Sequence, residues 1–136
     1  MTTFPKHFVD TNIFVYLWFD VEQAKQERCK VLFEQAEAGM VHLWTTEWVV
    51  AELVWFLTKQ HFAWAKIKGV ITKVLTTSGL EVRGKQWLLM VLELVRKPQD
   101  FVDVVNVTLA RSEGVESAYS YDKGLDNFGF IKRKEP

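Results

Sequence analysis

The sequence predicts an α/β domain in which a small, mostly parallel sheet of four to five strands is flanked by helices. Short runs rich in β-branched and aromatic residues alternate with longer segments of helical periodicity. Strands separated by helices are joined by crossovers, and crossovers leave neighbouring strands parallel. The 136 residues, 49% hydrophobic and 25% charged, suit one domain spanning 1–136. A chain of this size buries about 65–70% of its unfolded surface. No repeat, linker or low-complexity segment divides it.

Residues 7–10 form the first predicted strand, and Thr11 or Asn12 can cap a helix starting near Ile13. Cys29, Leu32, Phe33 and Ala36 follow the i, i+3, i+4, i+7 spacing of a second helix, with Gly39 as its stop. A strand over 41–44 follows, and Thr45-Thr46 supplies caps for a helix over 47–59. A helix over 62–75 tolerates Gly69 and closes at Ser78-Gly79, ahead of a strand over 80–83. Trp87, Leu88, Val91, Leu92 and Val95 mark a helix that ends at Lys97-Pro98. Another covers 101–113, with Gly114 beyond it. Residues 115–121 are the last clear strand, and Phe130-Ile131 a weak edge strand.

Composition narrows the function classes. Lys+Arg and Asp+Glu balance at 17 each, so no global field draws nucleic acid, although a local basic rim remains compatible. The lone Cys29 cannot form an internal disulfide and fits a reducing cytoplasm. No signal peptide is evident and no apolar run reaches the ~18 residues of a membrane span. Six Trp and ten Phe are a generous aromatic load, best used in core and interfaces. Neither G-x-G-x-x-G, a P-loop, H-E-x-x-H nor G-x-S-x-G occurs, and His7, His42 and His61 are scattered.

What the sequence offers instead is a set of carboxylates in unusual places. Asp10 ends the first strand, where open α/β sheets bind ligands. Glu52 is the only charge in the apolar stretch 48–57, so it is expected to point inward and to need a partner such as Arg83 or Lys97, or a cation. Asp103 lies among β-branched residues near a helix start, where the helix dipole also favours an acid. Asp122 follows the last strand and precedes the Lys123-Gly124 turn, a place that also suits a turn-forming Asp. An oxygen-only, carboxylate-dominated set suits Mg²⁺ or Mn²⁺ better than zinc. Such ions support phosphodiester hydrolysis.

Asp10-Thr11-Asn12, the helix segment Val50-Ala51-Glu52-Leu53, Asp103 with Ala110, and Ser120-Tyr121-Asp122-Lys123 together resemble the PIN-domain nucleases, in particular the VapC-type toxins of prokaryotic toxin–antitoxin pairs. The blocks occur in order across essentially the whole chain. The resemblance implies a PIN-like three-layer α/β/α fold and a Mg²⁺- or Mn²⁺-dependent ribonuclease acting on RNA. It also implies a homodimer, and inhibition by a short antitoxin protein covering the acidic pocket.

Carried over, Asp10, Glu52, Asp103 and Asp122 match the metal-binding acids, and Asn12 and Ser120 the polar residues that orient bound water or the first Asp. Ser120 stands where Thr is commoner and Asn106 where an apolar residue is usual. Asp100 and Asp126 are expected to be solvated. Lys66, Lys68, Lys73, Arg111 and Lys123 are the candidate backbone-binding cations. Two rivals stand beside this assignment. A phosphatase of the haloacid-dehalogenase type also begins with an Asp after a strand but needs Asp-x-Asp, and here the third position is Asn12. A catalytically silent PIN-like module would bind through its aromatic surface.

Overall fold

Thr45 explains how the first strand delivers its acid. It is fully buried in the last position of the second strand, and its hydroxyl donates to the Val9 carbonyl at 2.8 Å. The Val9 N–H in turn donates to the Trp44 carbonyl at 2.9 Å, and the Arg83 N–H to the Thr45 carbonyl at 3.0 Å. These bonds join the ends of three short parallel strands: β1 (Lys6–Phe8), β2 (His42–Thr45) and β3 (Leu80–Val82). The order is β1-β2-β3, with His7 opposite Leu43 and Leu43 opposite Leu80. The computed structural model describes residues 5–19 and 22–136.

The connections are helical, as parallel pairing demands. Between β1 and β2 run α1 (Thr11–Trp18) and α2 (Gln23–Glu37), packed on one another. Phe14 and Leu17 anchor α1, while Cys29, Phe33 and Ala36 form the buried side of α2. Between β2 and β3 lie α3 (Glu47–Lys59) and α4 (Trp64–Leu75). The expected cap of α3 is present: the Thr46 hydroxyl accepts from the Val49 N–H at 3.2 Å. Gly79, before β3, has φ +80, and a Cβ there would collide with the Ala36 backbone carbonyl. Only glycine fits both that conformation and that approach.

After β3 come α5 (Lys85–Leu94), a short 3-10 turn at Pro98–Asp100 and α6 (Phe101–Ser112). α6 packs on α5 and on α3, and the 3-10 turn also touches α3. The chain ends in a second parallel pair, β4 (Ser117–Tyr119) with β5 (Lys132–Lys134), bridged by a 3-10 turn over Lys123–Asn127. All five strands pair in parallel, divided between a three-stranded and a two-stranded ladder among the described residues.

Three local expectations are revised. The cap of α1 is Asp10 rather than Thr11 or Asn12, because the chain is still extended at Asp10 (φ −82, ψ 164) and its carboxylate accepts from the Thr11 N–H. The last strand is three residues long, not seven, and the edge strand falls on Lys132–Lys134 rather than Phe130-Ile131. Its Lys-Arg-Lys composition hides it from any hydrophobic pattern, since backbone pairing defines it and Ile131 just before it is the buried residue.

Candidate metal centre

Glu52 is exposed, contrary to the expectation that it points inward. α3 buries Val49, Val50, Leu53, Val54 and Leu57, and its opposite stripe carries Trp48, Glu52, Trp55 and Lys59. Trp48 is 74% and Trp55 61% exposed. An apolar composition all round the helix therefore does not mean burial all round. Arg83 pairs with Glu47 at 3.3 Å instead of with Glu52. The partner of Glu52 is Thr11, whose hydroxyl donates to its Oε2 at 2.8 Å.

That bond brings the first two acids together. Asp10 lies at the carboxyl end of β1, and its Oδ1 accepts from the Thr11 N–H at 2.8 Å. Asn12 is exposed one position further along α1. Asp10 and Glu52, far apart in sequence, thus meet at Thr11.

The second two meet through their charges. Asp103, half-buried in the first turn of α6, is held above the usual carboxylate range. Burial is the largest cause, and the negative charges of Asp122 and then Asp100 add to it. Asp122 is exposed and follows β4 in a pair of nested turns. The Ser120 hydroxyl accepts from the Asp122 N–H at 2.9 Å, and Asp122 Oδ1 accepts from the Gly124 N–H at 2.8 Å. The turn expected at Asp122 is therefore present, and the Ser120 hydroxyl bonds the Asp122 backbone. The elements that carry the two pairs are in contact: α3, with Glu52, packs on α6 and on the 3-10 turn that holds Asp100.

Among the described residues, no three His, Cys, Asp or Glu side chains stand together closely enough to hold an ion as they are. The fit to a divalent cation is one of chemistry and charge. The donors are all carboxylate oxygens, and Asp103 is set against other acids, so every influence at it favours the neutral form. Asp126 does not belong to the set. It is engaged by Arg133 through Nε at 2.8 Å and Nη2 at 3.3 Å, which holds its carboxyl below the usual range.

Two residues outside the expected acid set act on it. Thr11, a cap candidate and a member of the Asp10-Thr11-Asn12 block in the sequence, bonds both Asp10 and Glu52. Asp100, expected to be solvated, acts on Asp103 from three residues upstream, a spacing that puts both on one side of a helix start. Asn106 is exposed and borders a groove of about 540 Å³ with Trp48, Ala51, Trp87, Phe101 and Val102. None of the four acids lines that groove. Of the candidate cations, Lys68 pairs with Glu93 at 3.2 Å. Lys73 lies 5.2 Å over the Trp18 ring and Arg111 5.0 Å over that of Phe130.

Among solved structures the chain is similar to VapC20 of Mycobacterium tuberculosis, described as a sarcin-ricin loop cleaving toxin, with 22% identity. The alignment covers 97% of this chain and 100% of that one, with a TM-score of 0.41. No curated protein matches the chain. The family model for the PIN domain matches residues 7–131, a span that contains Asp10, Glu52, Asp103 and Asp122, and the chain belongs to the PIN domain family.

Proposed function

We propose that this chain is a Mg²⁺- or Mn²⁺-dependent endoribonuclease, the toxin of a VapBC-type pair, built as one domain over 1–136. The observation that carries the reading is that Asp10 and Glu52 meet at Thr11, at the end of β1, in a chain of the PIN domain family. Asp103 agrees with it, since burial and the charges of Asp122 and Asp100 raise its carboxyl where pairing with a cation would lower it. Acids arranged against one another in a PIN domain call for a cation from outside the chain.

Asp10, Glu52, Asp103 and Asp122 would hold that cation. When bound, it supplies a Lewis acid for the phosphodiester and lowers the pKa of water. Asp122 or Glu52 accepts a hydrogen bond from the attacking water and aligns it for in-line displacement. Ser120 fixes the backbone of Asp122, and Asn12 offers an amide beside Asp10 for orienting water. Without a cation the carboxylates repel the phosphate, so the empty site is inert. Lys66, Lys68, Lys73, Arg111 and Lys123 are the candidate cations for the RNA backbone.

The chain is further read as a cytoplasmic homodimer whose acidic pocket is blocked by a short antitoxin. Support for protein partners comes from exposed apolar side chains near the groove, Trp48 at 74% and Val102 at 60%. The deciding experiment is RNA cleavage by the purified protein in Mg²⁺ and in EDTA. Cleavage lost on chelation is expected. Hydrolysis of small phosphate esters without RNA cleavage would favour a phosphatase instead.

A further inference from the structure

Among the described residues, the Thr11 hydroxyl is used differently from those of the threonines in and just after the later helices. Thr58, Thr72, Thr76 and Thr77 donate back to the carbonyl four residues earlier, as helical threonines commonly do. Thr11 is the first residue of α1, where no preceding helical turn offers a carbonyl. Its hydroxyl reaches instead across 41 residues of sequence to Glu52 Oε2 at 2.8 Å. Its N–H meanwhile donates to Asp10 Oδ1 at 2.8 Å. One residue thus bonds both carboxylates, which leaves the second oxygen of each for a cation.

We propose that Thr11 is a positioning residue of the metal centre, fixing the Glu52 carboxylate beside Asp10. The proposal rests on the metal-dependent nuclease reading. Glu52 needs such a device because it is exposed on α3 and free to change rotamer. Confining a Glu side chain costs rotamer entropy. A hydroxyl bond to an ionised carboxylate is among the stronger hydrogen bonds available to offset that. The bond also joins α1 to α3, so the strand end and the helix present their acids in one fixed relation.

The test measures Mn²⁺ affinity by calorimetry on wild type, Thr11→Val, Thr11→Ser, Glu52→Gln and the Thr11→Val/Glu52→Gln double variant. Thr11→Val is near-isosteric and lacks the donor, and it should weaken Mn²⁺ binding by about 10–100-fold, the usual scale for losing an outer-shell partner. Thr11→Ser keeps the hydroxyl and should restore binding. In the Glu52→Gln background Thr11→Val should have no further effect, because the residue acts through Glu52. Metal-free melting checks that each variant folds, and Thr11→Ala removes the same hydroxyl should valine not be tolerated. Wild-type Mn²⁺ affinity in both Thr11→Val and Thr11→Ala would overturn the proposal alone, as would an undiminished effect of Thr11→Val without the Glu52 carboxylate. A wild type that binds no Mn²⁺ would overturn the nuclease reading and this proposal together.

Discussion

Asp10 combines two roles in one side chain: it caps α1 and stands just past the end of β1, beside Glu52. Asn is as good an N-cap as Asp. Asp10→Asn therefore removes the negative charge while keeping the cap, at a cost of about 0.3–1 kcal/mol from the lost helix-dipole interaction. Cleavage should fall by at least ~10²-fold, the scale of losing one preorganised electrostatic contact. Melting and single-turnover cleavage on the same preparation separate the two effects, and a variant that still cleaves in Mg²⁺ would remove Asp10 from the site. Trp55 is the opposite case. It is 61% exposed, with the Lys59 ammonium 3.9 Å over its ring. Trp55→Ala should change stability by no more than roughly 1 kcal/mol, from the lost cation–π contact and a little surface packing. A loss of ~3–5 kcal/mol in chemical denaturation would instead show a buried ring. At this scale the sequence could place acids along the chain but not on faces. Trp48 and Trp55 make α3 look apolar all round, although the helix buries only one side and Glu52 stands on the other.

The elements themselves were largely legible, and where they were not the cause is local. α3 starts and stops where its caps predict, because Thr46 and the apolar repeat from Val49 to Leu57 point to the same helix. β4 is shorter than its apolar run suggests and β5 lies beyond Phe130-Ile131, because neither has an inner face rich in apolar residues. Their ladder, with Ser117 opposite Lys132 and Tyr119 opposite Lys134, is made by backbone bonds that no side-chain period announces. The Thr45 hydroxyl was equally hidden, since a threonine at a strand end looks like a cap. It donates instead to the Val9 carbonyl and so sets where β1 releases the chain toward Asp10. Thr45→Val keeps the shape and deletes the donor, leaving a buried carbonyl without this bond. The expected loss is about 1–3 kcal/mol, measured as a lower denaturation midpoint at unchanged m-value. An undiminished midpoint would show that the Val9 carbonyl is satisfied without Thr45.

Over the whole molecule, the acids should make stability depend on cation and pH in a particular sense. Asp103 has a folded-state pKa raised by burial and by Asp122 and Asp100, so the native chain holds its proton more tightly than the unfolded chain does. The stability linked to that proton is fully present below the unfolded carboxylate value and is lost as pH rises through the raised one. Asp126 has the reverse sign. Arg133 lowers it, so its contribution is present above the unfolded value and is lost as pH falls through the depressed one. Asp126 is exposed and its share is small. At neutral pH, then, the metal-free protein carries strain at Asp103 that a bound cation would relieve. A ligand that binds only the folded state stabilises it by RT ln(1 + [L]/Kd), about 2.7 kcal/mol at a hundredfold excess over Kd. For a chain of this size that is a rise of several degrees in melting temperature. Asp103→Asn should melt above wild type in EDTA at pH 7, because the amide cannot be charged, yet gain less from millimolar Mn²⁺, because one donor is weakened. The wild-type advantage lost between acid and neutral pH should shrink in the variant as well. Melts of both proteins across pH 4 to 8, with EDTA and with Mn²⁺, test these outcomes together. A wild type indifferent to Mn²⁺, beside an Asp103→Asn that melts lower in EDTA, would mean that the carboxylates of α6 and of the turn after β4 serve the fold and not a metal.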